Sequence, residues 1–380
     1  MPGKRMRGIK LLFFMSFIWW GCTEEWLQEP YSSSPTGVFD AVWEEYDQTY
    51  GAFGAKGINW DSCRRVFRAR LTPEANSDTL YNVLCGLLRQ LNDGHVQLIA
   101  NGYKRFYSVP IPTIFPDSKY YENASEISML FDVIKSRYLS SYVDSGNCFY
   151  GIINLKTVPK YIGYLYISGF DRESFSTDFI DRANMAFAHC AGLIIDLRFN
   201  GGGSSEVLTA VANRYADQKR IFILSKIRNG RSHNDFTSFI SHIIRPEGVN
   251  LGQKPLVVLV NRHTASSAEH FVLAMRARPH TLIVGDTTAG ALSTVVQRIA
   301  PNGWEFRTCP QVLYDTTGQL LRNADGRYPD GIGLPPDLYV RNMLKEIYRG
   351  YDRVMATTLN YFEDYFNEIG RNHPTYSLKH

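Results

Sequence analysis

Cysteine is scarce and unpaired: six occur in 380 residues, and no two stand in a CxxC spacing. That excludes the thiolate pattern of a structural zinc site. The five beyond Cys22 (Cys63, Cys85, Cys148, Cys190 and Cys309) are odd in number and scattered, so no disulfide framework is indicated either. Long apolar runs are missing too, the one at residues 11–20 being too short to span a bilayer. The excess of positive charge is local. The net +4 comes from Lys4, Arg5, Arg7 and Lys10 in the first 21 residues, which hold no acid. The rest balances 37 basic against 37 acidic residues, which gives no reason to expect nucleic acid as a partner. No internal repeat is visible, and no low-complexity tract follows residue 37. What remains is ordinary globular composition, 44% hydrophobic and 21% charged, in a chain long enough for two domains or one large one with additions.

The basic stretch before residues 11–20 and the Gly21-Cys22 that ends the run read as an export signal over residues 1–21. A small residue directly before a cysteine resembles a bacterial lipoprotein signal, with Cys22 as the lipidated first residue. Ordinary secretion, with Cys22 as a bystander, is the alternative. Residues 22–37, rich in serine and proline, read as a flexible tether. The expectation is a cell-envelope protein held to the membrane by lipid.

From residue 38 to about 91 the periodicity is helical. Val38, Val42, Trp43 and Tyr46 share one face, and Leu80, Leu84, Leu87 and Leu91 another, with a third helix over residues 60–71. This predicts a small helical N-terminal domain at 38–100. Residues 101–160, rich in tyrosine, are assigned no fold. Over 161–340 an α/β pattern takes over, with strand-like runs at 163–167, 193–197, 221–224, 256–260 and 282–284 and helical stretches between most of them. Residues 294–299 and 304–307 flank the hairpin signal Pro301-Asn302-Gly303. The tail, 341–380, reads as helical to about Phe366.

The segment 255–270, PLVVLVNRHTASSAEH, turns from a buried strand into a helix through small hydroxyl residues. Free N–H groups at the helix start suit a nucleophile whose oxyanion must be stabilised, although Thr264 or Ser266 could instead simply cap the helix. A second turn, DLRFNGGGS at 196–204, has glycines for close backbone approach; it lacks the lysine of a P-loop and could hold a phosphate or an oxyanion. Asp93-Gly94-His95 closes the helical region, where a histidine could equally be plain surface. Asp330 and Asp337 lie in a glycine- and proline-rich loop and could be turn formers.

In this order, GAFGAKGINWD at 51–61, DGH at 93–95, DLRFNGGG, TASSAE, GDTTAG at 285–290 and GIGLPPD resemble the tail-specific (C-terminal processing) and tricorn-type serine peptidases. Interphotoreceptor retinoid-binding protein shares that core. The resemblance implies an α/β, crotonase-like catalytic domain after a helical one, with a C-terminal helix. It aligns Ser266 with the family nucleophile and gives the oxyanion N–H groups to Ser267 and, from the glycine loop, Gly202. The lysine of the tail-specific Ser–Lys dyad falls on Ala291, so the resemblance points to the tricorn-like branch, with His95 as base and Asp330 as its orienting acid. The serine that precedes the histidine in tricorn is Gly94 here. His263 and His270 remain competing bases by nearness in sequence. Residues 101–160 are too few for the PDZ domain of many relatives.

The expected function is a serine-type endopeptidase acting on peptide or protein substrates through an acyl-enzyme, with no metal or organic cofactor. A non-catalytic ligand- or peptide-binding protein on the same fold is one alternative. An esterase using the same triad is another.

Overall fold

The computed structural model describes residues 31–102, 104–119, 124–173 and 175–370. A seven-stranded sheet forms its centre, in the order 338–339, 281–285, 256–260, 192–196, 161–167, 148–154, 142–144. The first five strands are parallel, and the last two continue the sheet antiparallel. Strand Leu256–Val260 is buried at every position, which suits an unbroken apolar run covered on both faces. Its alternate side chains enter two different cores. Leu256, Val258 and Val260 pack with the helices Thr177–Ala186, Ser205–Asn213 and Ser267–Arg276, while Val257 and Leu259 pack with Ala124–Arg137 and the C-terminal helix Arg353–Gly370. The three crossover helices lie on one side because the parallel strands advance in one direction, and right-handed crossovers then repeat on the same face. This mixed α/β fold with a helical N-terminal region is the class the sequence implies.

Residues 101–160, left without a fold by the sequence, supply helix Ala124–Arg137 and the two antiparallel strands. The helices Pro35–Thr49, Trp60–Arg68 and Ser77–Arg89 start at side-chain caps on Ser34, Asn59 and Asn76. Trp43 and Trp60 stack at 6.5 Å, and each indole N–H donates to the other's backbone carbonyl. This region does not close a core by itself. Leu98 and Phe106 share it with Phe306, Val312 and Tyr328, because strands Gln97–Ala100 and Lys104–Tyr107 join the hairpin Val296–Ile299/Glu305–Thr308 in a four-stranded antiparallel sheet. The N-terminal region and the hairpin some 200 residues later are therefore one packing unit. The tail is also not one helix: Gly350, with φ at +73°, separates the short helix Leu344–Ile347 from Arg353–Gly370.

A buried ion triad docks that last helix under the glycine turn. Arg198 donates through Nε and Nη2 to Asp196 and through Nη1 to Asp352 at 2.9 Å, and all three residues are essentially solvent-free. Asp352 in turn accepts from the Met355 amide and from Asn342 Nδ2. Removing one partner leaves a buried charge uncompensated. Asp352→Ala should therefore lower unfolding stability by about 3–5 kcal/mol in urea titration, and a loss below about 1 kcal/mol would contradict this reading.

Candidate active site

The strand Leu256–Val260 ends at Asn261, and the chain reverses through 261–266 into helix Ser267–Arg276. Ser266 stands at the bend with φ +58° and ψ −124°, a conformation that costs a non-glycine residue of order 1–3 kcal/mol. Ser266 is also the N-cap of that helix and stands in a capping box with Glu269 at N3, so the cap and the nucleophile readings fall on one residue. The amide of Ser266 donates to the carboxylate of Glu269 at 3.1 Å. Ser267 is engaged differently. Its hydroxyl donates to the Gly203 carbonyl at 2.7 Å, while its N–H has no acceptor among the described residues.

The glycine turn lies against this bend. A Cβ on Gly202 would come 2.6 Å from the Ser266 Cβ and 2.9 Å from the Ser267 nitrogen, so only glycine allows the approach. The expectation that Gly202 offers its N–H to an oxyanion is corrected. That N–H donates to Asn200 Oδ1 at 2.9 Å, and Gly202 is buried. The next residue, Gly203, is exposed at the cleft, and its N–H has no acceptor among the described residues. Asn200 is the brace: its side chain also donates to Ile167, and its carbonyl accepts from Ala265.

Ser266 and His95 line the same open cleft of about 680 Å³, together with Gly203, Ala291, Arg262 and Arg307. His95 sits where helix Ser77–Arg89 hands over to strand Gln97–Ala100, and its amide donates to Asp93 Oδ1. Burial pushes the imidazole below its ordinary value and Arg307 pulls the same way, against opposing pulls from Asp93 and from a backbone group of Ser293. The competing base His270 does not line the cleft. It is buried against the Leu292 carbonyl at 2.8 Å and pushed down to about 4, chiefly by burial. His263 does line the cleft, with its ring 5.7 Å from that of Phe199.

Asp330 is also corrected. No hydrogen bond joins it to His95: one carboxylate oxygen accepts from the Leu292 amide at 2.6 Å, and the other is buried without a partner, as is His95 Nδ1. Burial and the neighbouring Asp93 push Asp330 up to about 8. The acid whose field reaches His95 is Asp93, which Tyr50 Oη and Lys56 Nζ hold at 2.9 and 3.7 Å. Cys22 lies outside the described residues. Among those described, no group of three or more histidine, cysteine or acidic side chains could hold a metal ion, and no helix is long and apolar enough to cross a membrane.

Two residues with structural weight were not singled out for it in the sequence. Glu269, buried, accepts from Ser266 N, Thr288 Oγ1, Gly290 N and Ala291 N, tying the loop 286–293 to the bend. Gly94 is the other. A Cβ there would lie 2.6 Å from the Gly290 carbonyl oxygen and 2.8 Å from Ala291 Cβ, so the turn carrying His95 can close on that loop only with glycine.

A serine held in a strained strand-to-helix bend, with unshared N–H groups beside it and a histidine across the cleft, is the layout of a serine-type hydrolase. Residues 161–340 match the model of peptidase family S41. The chain is 29% identical over 214 residues to the carboxy-terminal-processing protease of Bartonella bacilliformis, covering 53% of this chain and 44% of that protein. It is 30% identical over 131 residues to the carboxy-terminal processing protease CtpA of Bacillus subtilis, covering 34% of this chain and 26% of that one. The chain thus spans less than half the length of these curated relatives. A solved structure described as a candidate peptidase from Parabacteroides merdae superposes with a TM-score of 0.71 at 26% identity, covering 87% of this chain and 97% of that one. Mature CPAF shares the fold, with a TM-score of 0.62 at 11% identity over 90% of this chain and 98% of that one.

Asp330 gives a signed pH prediction. A carboxyl with a raised folded pKa contributes stability that is fully present below its unfolded value of 3.8 and is lost as pH rises through about 8. Asp330→Asn should therefore gain on the wild type by roughly 1–3 kcal/mol between pH 5 and pH 8, a tenfold difference in proton affinity being worth about 1.4 kcal/mol. Urea melts at the two pH values check this, and a constant difference would contradict it.

Proposed function

We propose that this chain is a serine-type endopeptidase of the tricorn-like branch, cleaving peptide bonds through an acyl-enzyme on Ser266. The observation that carries the reading is the facing of Ser266 and His95 across one cleft, with Ala291 at the position of the dyad lysine. Ser266 Oγ attacks the scissile carbonyl while His95 takes its proton, and the imidazolium then gives that proton to the leaving amine. The N–H groups of Ser267 and Gly203 receive the oxyanion. Water deacylates the enzyme, with His95 again the base. Asp330 is a positioning residue: through the Leu292 amide it holds the loop on which the His95 turn rests. The reading includes the cell envelope as location, with a lipid anchor on Cys22.

A base must be neutral to act. Since His95 is held below 6.5, its neutral form persists to lower pH, and kcat/KM should rise with pH through an apparent pKa under that value. A peptide-library digest read by mass spectrometry should show cleavage that Ser266→Ala abolishes. His95→Ala should cost ~10³–10⁶-fold in kcat, and Asp330→Asn less. A nearly wild-type His95→Ala enzyme, or a dead His270→Ala enzyme with intact fold, would overturn the assignment of the base. For the anchor, Cys22→Ala should move the protein out of the membrane fraction, and equal retention of both forms would contradict it.

A further inference from the structure

In the four-stranded sheet, Arg307 is the register partner of Gln297 on one side and Gln97 on the other, and Gln97 pairs with Tyr107. These four residues form one cross-strand row on one face. The adjacent row, Leu98, Phe306 and Phe106, points the other way into the N-terminal core. The face bearing the first row is turned to the cleft: Gln297, Arg307 and Tyr107 all line it, and strand Gln97–Ala100 begins two residues after His95.

Among the described residues, no aspartate or glutamate lines this cleft. Of its two arginines, Arg262 is committed to the backbone, with Nη1 donating to the carbonyls of Thr288 and Ile332 at 2.8 and 2.9 Å. Arg307 is not. Its Nε is buried without a hydrogen-bond partner, and no carboxylate among the described residues lies within 4 Å of its guanidinium. Glu305, two residues away on the same strand and face, accepts from Gln297 instead, at 2.6 Å. Arg298, on the neighbouring strand but facing the other way, shows the contrasting structural case: it pairs with Glu45 at 2.7 Å. An uncompensated guanidinium in a concave site, beside the apolar wall of residues 109–112, is built to take a bidentate anion.

We propose that Arg307 sets the specificity of this cleft by binding a carboxylate of the substrate, so that peptides with an acidic group near the scissile bond are preferred. The proposal rests on the serine-peptidase reading of the same cleft. That carboxylate is either an acidic side chain or the α-carboxylate of a chain end, and the two share the chemistry Arg307 recognises.

A fluorophosphonate that labels Ser266 in the full chain provides a readout independent of turnover. Four versions of one apolar hexapeptide, with Asp or Asn inside and a free or amidated C-terminus, compete with the label. Charged versions should protect Ser266 about 10- to 100-fold better than neutral ones, the range of a charge-assisted hydrogen-bonded pair. The Asp–Asn contrast reports a side-chain carboxylate, and the acid–amide contrast a chain end. Arg307→Met should bring the ratio to within about twofold, and Arg307→Glu should favour a Lys-containing version. Equal protection by charged and neutral peptides in the wild type overturns the proposal without needing a variant, as does an unchanged ratio in Arg307→Met. Absence of any labelling overturns the hydrolase reading and this inference with it.

Discussion

Four donors converge on the carboxylate of Glu269, which is fully buried, and the geometry of the whole cleft depends on that convergence. One donor is the amide of Ser266, so the carboxylate holds the strained bend in place from below. The others belong to the loop 286–293, and that loop also meets the His95 turn and Asp330. Its Gly290 carbonyl accepts from Gly94, next to His95, and from Gly331, next to Asp330. Its Leu292 amide donates to Asp330, and its Leu292 carbonyl accepts from His270. Burial pushes the Glu269 carboxyl up and its donors pull it back. Such a group is costly unless satisfied, so the arrangement is close to all-or-none.

The two halves of the proposed chemistry reach this hub by different routes. Ser266 arrives from the parallel sheet, at the end of a strand buried on both faces and the start of a helix buried from Ser267 to Met275. A helix enclosed on all sides has no freedom to tilt, which is how the bend can store strain. His95 arrives from the N-terminal helices, through a turn fastened by Asp93 to Tyr50 and Lys56. The cleft is the seam between these two packing units. Its charge follows from the same plan: the acids near the base, Asp93 and Asp330, are buried behind it, and the cation Arg307 faces the opening.

Much of this was legible in the sequence where periodicity or punctuation was strong. The strands at 256–260 and 193–197, the helix after Ser77 and the bend at Ser266 all follow from local pattern. The dependence of the helical region on residues 300–328 was not legible. Four-residue strands such as Gln97–Ala100 carry little periodic signal, and their partners lie some 200 residues away. At Gly202, close approach and a free N–H are separate properties, and Asn200 takes that N–H. Asp330 was expected as an ionised partner of His95. Its burial beside Asp93, which raises it, is set by tertiary packing that spacing along the chain does not encode. Arg307 carries no local signal in the sequence: only the register shows that it faces the cleft while Arg298 faces Glu45.

On the proposed reading, the strained bend has one consequence above all others: it presents Ser266, and not its neighbour, to the substrate. Tandem mass spectrometry of the fluorophosphonate-labelled chain locates the adduct directly. The expected result is a single modification on Ser266, with Ser267 unmodified because its hydroxyl is bonded to the Gly203 carbonyl. An adduct on Ser267, or on a serine outside the cleft, would contradict it.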